Sequence, residues 1–541
     1  MKAVEHGKQS ANGDGIHMEE VVPFLGPGGA DSPERGAPAD GGRPRRRVAD
    51  VGEEFAVDDA VEAVGMGRFQ ALLLLVVGTC VAGKGATITL GAFIFPGAKC
   101  DFNLTHSQES KLTVWVFIGV TVGSFVWGLI GDMAGRRISI VVATLGGIVM
   151  SCAATLAPNI QWLSASLLIL GFTMAGQLTD LAYLLEYTPA AYRGKFALAL
   201  GLAWAIGTTG DAALAWLIMP AYGWRALVVV TNIPYAIAVL LLLLVPESAR
   251  YLIVKGRQDD ARKALDRMAR MNGAVLPRDA QLVSPAIKSG NKKLSLNGLF
   301  EKSISSLSKM FDCSSLRMSV LVMHIWVVGG FIYTTMLLMN TEVHASKSSC
   351  TGDHTMPLHL SDRNYREILI VSCADLVGQF LPLLIIDRLG RQWSMFALFL
   401  GAFASMLPIL VARPDPTASL FGIRAFAQSV QLVVGVYTSE AYPTDIRAFA
   451  LGMGHTISSI GSVGVPLVAQ GVLHKYGIRA SIGVLVALLA TGAAAAVGLP
   501  IDTTGKPLED TVDEGGRRKS KAHDQQSEQL RCVSISSSKA K

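Results

Sequence analysis

The sequence predicts an all-α polytopic membrane protein whose twelve transmembrane helices form two pseudo-symmetric six-helix halves. Three observations carry that expectation. Only 17% of the 541 residues are Asp, Glu, Lys or Arg while 50% are hydrophobic, against about 25% charged in a typical soluble domain. Apolar runs of about 20 residues, the length that crosses a bilayer, recur along the chain. Four polar motifs repeat at an offset of 254 or 255 residues.

Residues 1–67 are polar and rich in Gly and Pro, with no basic-then-apolar stretch ending in a small-residue cleavage site, so no cleavable signal is expected and the tail reads as disordered. The run Arg43, Arg45, Arg46, Arg47 reads as a topology signal or solvated charge, with attraction to anionic lipid as the rarer alternative. A first six-helix bundle is expected over 68–245, with spans near 69–95, 113–131, 138–157, 162–187, 196–219 and 226–245. A cytosolic linker, 246–318, follows. Within it Asp259 to Met271 has Ala261, Ala264, Leu265 and Met268 on one side and Gly273 as a stop, which predicts an amphipathic helix. The second bundle, 319–499, has spans near 319–340, 365–386, 393–412, 417–441, 448–471 and 479–499, and a polar tail, 500–541, also reads as disordered. The runs are too long and continuous for barrel strands of about 10 alternating residues.

Orientation follows from the bias of positive charge toward the cytosol. With both termini cytosolic, 37 Lys and Arg fall on that face and 9 on the other. That places the sequon Asn103-Leu104-Thr105, with Asn103 as a glycosylation candidate, on the opposite face together with Cys100 and Cys350, where a disulfide is permitted. The net charge of +6 comes from segments flanking the spans, so the partner is the lipid bilayer and not nucleic acid. The seven cysteines show no CxxC pair and no ligand spacing with His, so no metal or redox cofactor is indicated.

The repeat fixes the architecture. Gly128-Leu129-Ile130-Gly131-Asp132-Met133-Ala134-Gly135-Arg136-Arg137 joins the second and third spans, and Asp387-Arg388-Leu389-Gly390-Arg391 joins the eighth and ninth. Glu186 and Glu440 close the fourth and tenth spans, Arg193 and Arg447 follow them, and Pro246-Glu247-Ser248 and Pro500-Ile501-Asp502 follow the sixth and twelfth. Parallel six-helix repeats are the layout of a transporter with a site between its halves. The Gly-x-x-x-Asp-x-x-Gly-Arg-Arg loop resembles the signature of the major facilitator superfamily, and Pro246-Glu247-Ser248-Ala249-Arg250 with Leu499 to Gly505 resembles its sugar-porter branch. Phe55 to Gly65, Trp204-Ala205-Ile206-Gly207-Thr208 and Glu440-Ala441-Tyr442-Pro443-Thr444 are similar to the synaptic vesicle 2-related proteins, a likeness covering about 55–508. The resemblance implies that Asp132, Gly135, Arg136, Arg137, Glu186, Arg193, Asp387, Arg388, Gly390, Arg391, Glu440 and Arg447 gate the cytosolic side, through charge-assisted bonds that latch one half to the other. It also implies a synaptic or secretory vesicle membrane, with the plasma membrane as the other candidate.

Charges inside the spans are the candidate binding groups, because an ionisable side chain at mid-membrane costs several kcal/mol. Lys84 stands about 22 and 17 Å from the ends of the first span at 1.5 Å per residue. It is a candidate for an anionic group or a proton, or else a structural ion pair with Asp211 or Asp375. Asp180, Asp211, Asp375 and Arg424 complete the charged set, with His324 and Tyr333 as further candidates; His455 reads as structural, and Trp204, Trp216 and Trp326 as cavity or packing residues. Lys84 and Thr87 depart from the acidic residues that the resemblance implies in this part of the first span, and Leu167 stands where relatives carry arginine. Gly78 to Lys84 fits most of a phosphate loop, but Gly85 replaces the required Ser or Thr and no strand precedes it. No enzyme signature is found. The function expected is secondary active or facilitative transport of a small organic solute, an organic ion or sugar-like, with protons as the candidate coupling ion. The alternative is a vesicle protein that binds a ligand such as a nucleotide on this fold without moving it.

Overall fold

The computed structural model describes residues 46–47, 54–276, 281–282, 296–312, 315–345, 360–411 and 416–503. Among the described residues, ten helical stretches are long and apolar enough to cross a bilayer: Arg68–Asp101, His106–Ala134, Arg136–Thr155, Ile160–Glu186, Ala190–Leu242, Leu316–His344, Asp362–Val411, Thr417–Ala441, Ile446–Tyr476 and Ile478–Val497. Two of these hold two spans each. Ala190–Leu242 doubles back at Gly223 (φ 71°), so that Thr231 reaches Asp211, 20 residues earlier, at 2.7 Å; a straight helix would hold them about 30 Å apart. Asp362–Val411 doubles back at Gly390 (φ 80°), and Ser394 bonds the Ile385 carbonyl across the turn. Both glycines sit in the left-handed region that only glycine enters freely. The described residues thus hold twelve spans, numbered here from the first to the twelfth.

Glycines set how closely the spans approach. A Cβ on Gly119 would lie 2.0 Å from the Leu168 carbonyl oxygen, and one on Gly171 2.1 Å from that of Val116, so the second and fourth spans pack backbone against backbone. Gly207 meets the Ala82 carbonyl in the same way, joining the fifth span to the first. In lipid, where apolar burial does not drive helices together, such close packing carries association.

The linker helix forms as its periodicity requires, over Gln258–Asn272, with Gly273 in the left-handed cap and Ala261, Ala264, Leu265 and Met268 buried. Its last residue docks the first span: Asn272 accepts from the Phe69 amide at 3.0 Å and donates to the Gln70 side chain at 2.8 Å. A second linker helix, Leu296–Met310, was not foreseen. Part of the tail expected to be disordered is also helical. Val57–Val64 buries Val57, Ala60, Val61 and Val64 along one stripe and ends at Gly65. Its Asp58 pairs with Arg250 at 2.5 Å and Arg193 at 3.6 Å, contacts between distant segments that local periodicity does not reveal. The described strands are short parallel pairs, β1 (Arg46–Arg47) with β3 (Ala274–Val275) and β2 (Glu54–Phe55) with β4 (Gln281–Leu282). Arg43, Arg45, Cys350, the first 45 residues and the tail from 504 lie outside the described residues. Cys100 is disulfide-bonded, and Asn103, exposed at the turn between the first two spans, has φ 50°.

The two halves meet at the end of the bundle that carries Asn103 and again at its middle. Near that end Thr113 of the second span donates to Gln470 of the eleventh at 3.2 Å, and Trp216 of the fifth to Asp362 at the start of the eighth at 3.2 Å. Glycine packing yields a direct test. Gly119→Val should abolish recovery of monodisperse protein on size-exclusion chromatography, whereas Gly128→Ala, with open space around it, should leave recovery unchanged.

Candidate functional site

At the middle of the bundle, Asp375 of the eighth span and Arg424 of the tenth form a two-pronged ion pair, Nε to Oδ1 at 2.8 Å and Nη2 to Oδ2 at 2.7 Å. Both side chains are fully buried. The planar guanidinium matches the carboxylate, which makes this the strongest form of ion pair available to the chain. Around it, Thr208 of the fifth span donates to Asp375 Oδ2 at 2.7 Å and Tyr333 of the seventh to the same oxygen at 3.2 Å. Trp204 donates to the Tyr333 hydroxyl at 2.9 Å, and Thr209 to the Ser372 carbonyl at 3.1 Å. The fifth span belongs to one half and the other partners to the second, so this polar cluster spans the interface. Residues 204, 208 and 211 share one stripe of the fifth helix, and that spacing is why Trp204, Thr208 and Asp211 stand in line.

Lys84 has a partner, but not Asp211 or Asp375. Its ammonium bonds Asp180 Oδ2, with both side chains buried. The fourth span brings Asp180 beside the first, while Asp211 turns toward the sixth span and takes its hydrogen bond from Thr231. Asp211 Oδ2 and Asp180 Oδ1 are buried without a hydrogen-bond partner. His324 lies apart from this cluster: its Nε2 meets Thr491 of the twelfth span at 3.0 Å. His455 packs on Trp326, ring centroids 4.6 Å apart, and Trp326 donates to Thr438 at 3.1 Å. Beside the central cluster, Thr87, Ile88, Phe117, Leu167, Met174 and Leu337 line a narrow apolar cavity between the halves.

The repeated loops fold alike in both halves. Arg136 bonds Asp132 at 2.7 Å and Glu186 at 3.3 Å; 255 residues on, Arg391 bonds Asp387 at 3.3 Å and Glu440 at 2.9 Å. Tyr183 donates to the Pro246 carbonyl and Tyr437, 254 residues later, to that of Ile501 at 2.8 Å. Gly135 (φ 108°) lets the chain turn against Glu247, whose carboxylate caps the third span by accepting from the amides of Arg137 at 3.0 Å and Ile138 at 3.4 Å. A carboxylate there meets the unpaired amides and positive end of a helix. Arg137 also bonds the Leu242 carbonyl and Arg447 that of Tyr442, while Arg388 is exposed. Both charge clusters therefore close inside one half, where a latch from one half to the other was expected. Glu186 Oε2 and Arg447 Nη2 are left buried without hydrogen bonds, while the interface is made at the middle and at the Asn103 end.

A profile described as sugar (and other) transporter matches residues 84–512. The chain belongs to that family. It is 30% identical over 494 residues to organic cation/carnitine transporter 7 of Arabidopsis thaliana, covering 86% of this chain and 98% of that protein. To the synaptic vesicle 2-related protein of Xenopus laevis it is 29% identical over 480 residues, covering 86% and 85%. Its fold is similar to that of the E. coli xylose transporter in a partially occluded inward-open conformation, with TM-score 0.61, 18% identity, and coverage of 81% and 100%. The protein is thus a multi-pass membrane transporter of the major facilitator superfamily that handles small organic solutes.

Sequence reasoning did not single out Thr231, Ser372 or Glu247 as site residues. Thr231 and Ser372 become partners only when helices fold back, and Glu247 was quoted only as part of a motif. The Lys84–Asp180 pair is open to a double-variant test. Lys84→Met and Asp180→Asn each strand one buried charge and should lower stability by about 3–5 kcal/mol. The double variant should recover most of that loss in denaturant unfolding of the detergent-solubilised protein.

Proposed function

We propose that this transporter carries a small organic cation or zwitterion by alternating access, through a site beside the Asp375–Arg424 cluster, and that protons compete for the same carboxylates. The observation that carries this reading is the charge balance in the middle of the bundle. Both buried cations there, Lys84 and Arg424, are already held by carboxylates. An anionic solute would have to break a buried pair to find a positive partner, which strands a charge in a low-dielectric interior. The third carboxylate, Asp211, is 1% exposed and receives only a threonine hydroxyl. A solute cation or a proton would neutralise it.

Trp204 and Thr208 support the location, since they reach Tyr333 and Asp375 of the other half with Asp211 one turn further along the same helix, and an aromatic plane near a carboxylate is the pairing that holds organic ammonium groups. The relative from Arabidopsis named for organic cations and carnitine agrees with this charge. The end bearing Asp132 and Asp387 faces the cytosol in this reading, as the distribution of Lys and Arg implies, and the relatives named for synaptic vesicles support a vesicle membrane.

Uptake into proteoliposomes of separate cationic, zwitterionic, anionic and neutral sugar pools, under an imposed pH gradient, tests the proposal. Uptake of the cationic or zwitterionic pool is expected, falling at least about tenfold, the equivalent of ~1.4 kcal/mol, in Asp211→Asn. Uptake restricted to anions or sugars, or unchanged in that variant, would overturn the reading.

A further inference from the structure

At the Asn103 end of the bundle, away from the central cluster, four titratable side chains converge from both halves. His106 and Glu109 lie three residues apart on the first turn of the second span, on one face of the helix. His474 ends the eleventh span and Glu342 ends the seventh. The donor atoms of His106, Glu109 and His474 all lie within 4.8 Å of one another. The two imidazole rings are 4.0 Å apart, His106 Nδ1 is 3.7 Å from Glu109 Oε2, and His474 Nε2 is 3.1 Å from Glu342 Oε2. We propose that these residues form a binding site for a divalent transition metal ion, zinc foremost, that ties the two halves together at this end.

The chemistry of the donors selects the metal class. Two imidazoles with carboxylates suit zinc and its neighbours, whereas magnesium and calcium take oxygen ligands. Ligand atoms about 2.0–2.1 Å from a tetrahedral zinc stand about 3.4 Å apart, so donor atoms within 4.8 Å of one another need a closure of at most about 1.4 Å, within reach of side-chain rotation. A second observation points to a bound cation. The Glu109 side chain is 1% exposed, and while Oε2 faces the Lys99 ammonium at 3.2 Å, Oε1 is buried with no partner, a costly state for a carboxylate oxygen that a directly bound ion would relieve. Glu342 is better provided, with Gln470 donating to Oε1 at 2.8 Å; it stands behind His474 as the carboxylate that orients a ligating imidazole.

Lys99 is the rival cation. Its ammonium lies 2.9 Å from His106 Nδ1 and 3.2 Å from Glu109 Oε2, where the metal would sit. The lysine is one-quarter exposed on a flexible four-carbon stem, so it can withdraw to solvent as the ion enters. Lysine and metal therefore compete for one place, which sets opposite expectations for two kinds of variant. Because the second span comes from one half and the seventh and eleventh from the other, an ion bound here stabilises the arrangement closed at this end over any in which the halves part.

The test is thermal unfolding of the full-length protein in detergent, titrated with zinc chloride alone and reversed with a chelator. Wild type should be stabilised by micromolar zinc. The apparent affinity should fall at least about tenfold in His106→Ala and in His474→Ala, as for loss of one of few ligands, and should rise in Lys99→Gln. No stabilisation of either wild type or Lys99→Gln would overturn the proposal and leave Lys99 as the resident cation. An equal shift in all four proteins would overturn it as well, by showing that zinc binds elsewhere.

Discussion

A charge inside a lipid-embedded helical bundle has no water to turn to, so it must be neutralised where it stands. Much of the interior follows from that constraint. Arg424 and Asp375 can share the middle of the bundle because their groups meet along two hydrogen bonds, which fixes the tenth span against the eighth. The carboxylate still has lone pairs to fill, and Thr208 and Tyr333 fill them. One of these donors belongs to the opposite half, so the demand for neutralisation also becomes the joint between the halves. Lys84 and Asp180 meet the same constraint within the first half.

The distribution of contacts gives the molecule its state. Polar bonds between the halves lie at the centre and at the Asn103 end, while the charged loops of the repeat satisfy themselves within each half. Their symmetry has a mechanical meaning: each half is braced as a rigid body by the same Arg–Glu pair and the same tyrosine-to-carbonyl bond. Rigid halves joined at one end are the form that rocking about a central site requires.

The fold was legible because it rests on properties written locally in the chain. Apolar length gives the spans, and the recurrence of Asp132 and Glu186 as Asp387 and Glu440 gives the duplication. The charged residues of the site were legible too, since an ion in an apolar run declares itself. Their partners were not. Whether Lys84 meets Asp180 or Asp211 depends on which faces of three helices turn toward one another, a matter of about 100° of rotation per residue. His106, Glu109 and His474 escaped notice because they sit at span ends, where polar residues are ordinary, and Glu342 because the seventh span continues past the point where its apolar run stops. The helix of Val57–Val64 was hidden in a polar tail, since the core that Val57, Ala60, Val61 and Val64 join is built with Leu252, Leu265 and Met268, far off in sequence.

Transport by alternating access requires the Asn103 end to open and close. Thr113 and Gln470, hydrogen-bonded across that end, allow a direct measurement: a variant carrying both T113C and Q470C is cross-linked, reconstituted, and assayed for solute uptake beside the two single variants. Uptake should fall in proportion to the cross-linked fraction while the singles remain active. Full uptake by completely cross-linked protein would contradict the account.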